Sequence, residues 1–134
     1  MRYFDLQGIE LDTSYERAFA YIADPVNLPA WTNAFAEVTG PSAVLRTPEG
    51  EVAVGLEVLA SAQEGTVDWV MTFPDGAVAT AFSRLVRLQD RRCAYSFVLT
   101  PPPVPLEALE GALDAQAAIL REELGRLRSI LGGA

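Results

Sequence analysis

Asp68, Tyr95 and Arg84 are the side chains of this sequence whose chemistry could be combined into acid–base work. A carboxylate sheltered from water has its pKa raised and can then remove an acidic carbon-bound proton. A phenol or a guanidinium can hold the enolate oxygen that results. Period-two alternation sets Asp68 on the strand face opposite Trp69, so the pattern does not bring these groups to one face. Histidine is absent, which removes histidine triads, histidine-ligated metals and histidine as a general base. Cys93 is the only cysteine, so no internal disulfide forms, and zinc or haem sites of the usual kinds lack ligands. No carboxylate spacing marks a metal site, and no cofactor is expected. Cys93 itself reads as a small packed residue at the start of a strand, with nothing beside it in sequence to activate a thiolate.

Binding residues are easier to place. Trp69, Met71 and Phe73 alternate along one strand face, and Tyr95, Phe97 and Leu99 along another. Each alone is ordinary core material. Together they are the material of an apolar pocket wall. The strand Ala77–Leu88 has two parities open to it. One turns Val78, Thr80, Phe82, Arg84, Val86 and Leu88 inward, and a buried Arg84 then needs a carboxylate or a ligand oxygen. The other turns Ala79, Ala81, Ser83 and Leu85 inward and frees Arg84 to solvent. Phe82 and Arg84 are ligand-binding candidates on the first parity only.

The elements that must position these residues are legible from turn and cap chemistry. Tyr3–Leu11 reads as a first strand, with Tyr3, Ile9 and Leu11 on one face and Phe4 and Leu6 on the other. Thr13 and Glu16 form a capping box, and Tyr15, Ala18, Phe19 and Ile22 follow at helical spacing. Asp24-Pro25 ends that helix and opens a second, which Pro29 limits to little more than a turn, leaving Trp31 just beyond it. From Phe35 to Thr100 the pattern is strands, with breaks at Gly40-Pro41, 47–50, 63–65, Pro74-Asp75-Gly76 and Asp90-Arg91. The segments between them are Ser42–Thr47, Glu51–Ser61, Thr66–Phe73, Ala77–Leu88 and Arg92–Thr100, and their short turns predict an antiparallel meander. Pro101-Pro102-Pro103-Val104-Pro105 is a stiff connector that aims the last helix. That helix, Leu106–Leu131, carries Leu106, Leu109, Leu113, Ala117, Leu120, Leu124, Leu127 and Leu131 on one face. It spans on the order of 40 Å, enough to cross a small sheet. Leu113 faces the pocket, and Gln116, flanking the stripe, is the helix residue whose amide could turn into it.

Composition bounds the class. The 134 residues fit one domain over 1–134, and half are apolar, so a core can be buried. The formal charge of −8 repels phosphate backbones, so no nucleic-acid partner is expected, and an anionic membrane surface is disfavoured too. All ten basic residues are arginines. No segment approaches the ~20 apolar residues of a membrane span, and Asp5, Glu10 and Asp12 deny the N-terminus the apolar core of a signal peptide. A cytoplasmic protein is expected, with a homodimer left open.

The segments Ser14-Tyr15-Glu16-Arg17-Ala18-Phe19, Tyr21-Ile22-Ala23-Asp24-Pro25 and Asn27-Leu28-Pro29-Ala30-Trp31 resemble the N-terminal signature of the START-like (SRPBCC) superfamily. The likeness is to its small bacterial members, described as polyketide cyclase/dehydrase-like. It covers the whole chain. It implies an α+β helix-grip fold, a curved antiparallel sheet closed around the long C-terminal helix, with two short helices after the first strand. It also implies a cavity between sheet and helix that binds a small hydrophobic or aromatic molecule, as in lipid-transport relatives. Trp31 falls where the superfamily's cavity mouth lies, as a gate or as an anchor for the short helices. The ligand-binding set is then Trp31, Trp69, Met71, Phe82, Arg84, Tyr95, Phe97, Leu113 and Gln116. A cyclase or dehydratase acting on such a ligand is the alternative reading, and no catalytic set can be carried over by position.

Overall fold

The computed structural model describes residues 3–47, 50–100 and 109–132. After strand β1 (Asp5–Leu11) come helix α1 (Tyr15–Ile22), a single 3-10 turn (Pro25–Asn27) and the one-turn helix α2 (Leu28–Trp31). Strands β2 (Phe35–Thr39), β3 (Ser42–Thr47), β4 (Gly50–Ser61), β5 (Thr66–Thr72), β6 (Val78–Gln89) and β7 (Arg92–Leu99) follow, and then helix α3 (Leu109–Leu131). The strands form one antiparallel sheet in the order β1-β7-β6-β5-β4-β3-β2. β1 and β2 are its edges, so the sheet is open and not closed around the helix as the resemblance implied. The chain between those two edges is taken up by α1 and α2. The Pro-rich connector and the expected first turn of the last helix, Leu106 included, lie outside the described residues.

Local chemistry explains the short helices, with one correction. Ser14, not Thr13, caps α1, its hydroxyl accepting from the Arg17 backbone N–H at 3.2 Å. Thr13 is buried instead, and its hydroxyl accepts from the Arg17 guanidinium at 3.2 Å. Asp24 caps the 3-10 turn through the Val26 N–H at 3.1 Å, and Pro25 supplies the fixed φ of the first helical position. Trp31 is the last residue of α2 and not a residue beyond it.

Alternation gives the sheet one apolar face. Ile9 and Leu11 of β1, Val54 and Leu56 of β4, Val67 and Trp69 of β5, Leu85 of β6 and Cys93 and Tyr95 of β7 all turn inward. They meet Leu120, Leu124, Leu127 and Leu131 of α3 in one core. Gly65 closes the β4–β5 turn at φ +80°, where a Cβ would stand 2.0 Å from the Leu85 carbonyl oxygen. The Leu85 N–H in turn donates to the Gly65 carbonyl at 2.7 Å, so this turn is clamped onto β6.

The helix is pinned at its C-terminal half from two sides. Toward β1 and α1, the Asp12 N–H donates to the Gly132 carbonyl at 2.8 Å, and the Arg17 guanidinium donates to the Leu131 carbonyl at 3.0 Å. Arg128 donates to the Glu10 carbonyl at 3.2 Å. A cation on the last helical carbonyls also suits the helix dipole. Toward α2, Glu123 accepts from the Asn33 N–H at 2.6 Å, and Arg126 donates to the Trp31 carbonyl at 3.3 Å. Further up the helix, the Gln7 amide reaches from β1 to the Ala117 carbonyl at 2.8 Å. No described helix is long and apolar enough to cross a membrane.

Candidate functional site

Aromatic rings cluster on the inner face of the central strands. Trp31, from α2, packs on Trp69 of β5 and on Tyr95 of β7, with ring centroids 6.2 Å and 6.4 Å away. Phe97 stacks on Trp69 at 6.2 Å and 23°. Trp31, Trp69 and Tyr95 are 1%, 2% and 0% exposed, so their polar atoms have no access to bulk water. Yet the Trp31 Nε1, Trp69 Nε1 and Tyr95 hydroxyl have no hydrogen-bond partner. Buried polar groups are nearly always partnered, and leaving one unpaired costs about 1–3 kcal/mol. Three such groups on one contiguous aromatic cluster set this region apart from ordinary core.

Sheet register makes room for these rings. Trp69 is paired across β5–β6 with Ala81, and Met71 with Ala79, so small side chains face large ones. Where Thr66 and Trp69 bracket the ladder, Ser83 bridges the strands. Its hydroxyl donates to the Val67 carbonyl at 2.5 Å, and its N–H goes to Asp68 Oδ1 at 3.3 Å. Tyr95 is paired with Leu85 on one side and Ile9 on the other. Burial pushes the Tyr95 phenol well above its ordinary value, and the Asp68 charge adds to the shift. Ser83 is close enough to pull the other way, yet the geometry leaves the phenol without a hydrogen bond. Tyr95 therefore stays protonated at neutral pH. It can donate, and it cannot act as a base.

The structure sorts the sequence candidates by face. Trp31, Trp69, Tyr95 and Leu113 are buried, while Met71, Phe97 and Gln116 are half-buried. Trp31 holds an interior position in contact with both other rings, not a solvent-facing one. Phe82 and Arg84 are corrections: both stand on the outer face of β6, and Phe82 is 43% exposed. β6 takes the parity that turns Ala81, Ser83 and Leu85 inward, which gives Trp69 its space and keeps the guanidinium in water. Arg84 Nε donates to the Glu64 carbonyl at 3.3 Å. With Tyr15, Leu85 and Arg87 it borders a separate rim hollow of about 340 Å³. Asp68 is half-buried on the face away from the rings. Cys93 is buried, its thiol on the Thr13 carbonyl at 3.7 Å, and burial raises its pKa, which disfavours the thiolate.

One residue near the aromatic cluster was missed by pattern alone. Glu123 sits one heptad after Gln116 on the flank of α3, and its carboxyl is raised, chiefly by burial, against the lowering effects of the Asn33 N–H and Arg126. A glutamate beside a leucine stripe looks like a solvated helix edge; only the nearness of α2 gives it this setting. Among the described residues no cluster of side chains could hold a metal ion.

No family model matches this sequence, and no curated protein matches it either. Solved structures do. A START superfamily protein from Mycobacterium smegmatis superposes with a TM-score of 0.69 at 11% identity, covering 97% of both chains. The Zhui aromatase/cyclase from Streptomyces sp. R1128 gives 0.64 at 7% identity, over 96% of this chain and 90% of that one. The fold is the START-like helix grip. The Aha1 dimer from Colwellia psychrerythraea is similar too, with a TM-score of 0.60 at 17% identity over 97% and 96% of the two chains. Identities this low establish a shared START-like architecture and carry no ligand or reaction with them.

Proposed function

We propose that this START-like chain binds a small hydrophobic or aromatic molecule between the sheet and α3. The observation that carries the reading is the set of three buried, unpartnered polar atoms on the Trp31–Trp69–Tyr95 cluster. A solid apolar core gains nothing by keeping such atoms, whereas a ligand site needs a few of them set in an apolar wall. Binding is favoured over catalysis because the residues that could share a reaction are not together. Asp68 faces away from the rings, Arg84 is in solvent, and Tyr95 is held protonated.

A cyclase-like activity is the second reading, and one observation favours it. Buried N–H and O–H donors are what an enolate oxygen requires, and Glu123 is a half-buried carboxylate held above its ordinary pKa. Tryptophan fluorescence tests the binding reading, since both tryptophans of the chain lie in the cluster. Naphthalene should quench it saturably, and native mass spectrometry of freshly purified protein should show a retained small molecule. A linear, unsaturable quench together with a bare polypeptide mass would end the proposal.

A further inference from the structure

Resting on the binding reading above, we infer that the ligand is a neutral molecule presenting a hydrogen-bond acceptor, such as a ketone, quinone or ester oxygen, to Trp31, Trp69 and Tyr95. The chemistry of the unpartnered atoms decides the polarity. An indole N–H donates and has no lone pair to accept, so two of the three groups can be satisfied by an acceptor alone. The Tyr95 hydroxyl can donate as well, and burial keeps its proton in place. An alkane or an unsubstituted arene would leave all three unpaired.

The charge of the ligand is set by the groups around the rings. The chain has no lysine or histidine, and no arginine is buried among the described residues. Buried polar side chains among them are Thr13 and Ser83, both already engaged. The nearest cation, half-buried Arg126, is already engaged by the Trp31 carbonyl and by Glu122 and Glu123. A carboxylate drawn into this interior would have to compete for it, and desolvating an ion is far costlier than desolvating a carbonyl. Asp5 and Glu123, half-buried at the inner margins, would repel it further. An ammonium is disfavoured for a different reason, because three donors face it. Fatty acids and amines are thus poor occupants, and neutral carbonyl compounds with an apolar body are good ones.

A matched probe series separates this inference from the reading beneath it. Naphthalene, 2-acetylnaphthalene and 2-naphthoate share one ring system and differ in acceptor and charge. Titrated at neutral pH by tryptophan fluorescence, the ketone should bind at least about fivefold more tightly than naphthalene, the gain expected of one good buried hydrogen bond. The naphthoate should bind most weakly. In ¹H–¹⁵N spectra the two indole N–H protons should move downfield with the ketone and not with naphthalene, a readout that needs no variant. Y95F should narrow the ratio of ketone to naphthalene affinity, because one of the three donors is gone. Equal affinities for ketone and naphthalene would overturn the acceptor inference while leaving the pocket standing. A preference for naphthoate would overturn its neutrality, and failure of all three to saturate would take down the pocket itself.

Discussion

Tyr95 shows at the residue scale how burial turns an ordinary side chain into a specific one. Its raised pKa has a measurable consequence. The folded state holds the phenol proton more tightly than the unfolded state, whose tyrosines ionise near pH ~10. This contribution to stability is therefore complete below that pH and lost as pH rises beyond it. Urea midpoints of the wild type should fall above about pH 10, and those of Y95F should fall less steeply. At neutral pH Y95F should be as stable as wild type or up to about 1 kcal/mol more stable, since it deletes a buried hydroxyl without a partner. A loss of about 2 kcal/mol or more would mean the hydroxyl is well bonded in the ligand-free protein. Alternation in the sequence was enough to put Trp69 and Tyr95 on inward faces. It could not place Phe82 and Arg84, because both parities of Ala77–Leu88 mix apolar and polar residues. The choice was made across the ladder, where Trp69 needs Ala81 opposite it.

Turns and helix latches hold the rings in place at the scale of elements. Gly65 is the tightest point, with Leu85 backbone where a side chain would go. G65A should destabilise the fold by at least about 2 kcal/mol, through positive φ and the clash together, and a chemical-denaturation midpoint reads it directly. Glu123 fixes the end of α2 to α3 through the Asn33 N–H. E123A leaves that N–H unsatisfied and should cost roughly 1–2 kcal/mol. E123Q retains an acceptor without the charge. Because burial raises the Glu123 pKa above the usual 4.5, its stabilising effect is present at acid pH and fades as pH rises through the raised value. E123Q should accordingly match or exceed wild-type stability at neutral pH and show a flatter profile above pH 4.5. Caps and turn residues marked α1, the hairpins and the leucine stripe in the sequence with little ambiguity. They misplaced the α1 cap by one residue, since Thr13 and Ser14 are equally competent and only burial of Thr13 against Arg17 and Cys93 separates them. The Glu123 and Arg126 latches join residues 90 and 95 positions apart, and no local pattern encodes that.

At the scale of the whole molecule, seven strands with an open edge at each end carry one helix pinned along its C-terminal half. The α3 backbone comes nearest to β1 and α2, and its leucines share one core with the inward side chains of the central strands. That arrangement was foreseeable from element order and the N-terminal signature. The open sheet was not, because pairing of the two edge strands depends on where α1 and α2 lie. L124A, within this shared core, should cost about 2–5 kcal/mol by calorimetry. A crystal structure of the protein as purified, at a resolution that shows ordered water, examines the interior itself. It should reveal electron density for a ligand or water within hydrogen-bonding distance of Trp31 Nε1, Trp69 Nε1 and the Tyr95 hydroxyl. Those three atoms bonded instead to protein carbonyls, with side chains closed over them and no space between sheet and helix, would contradict it.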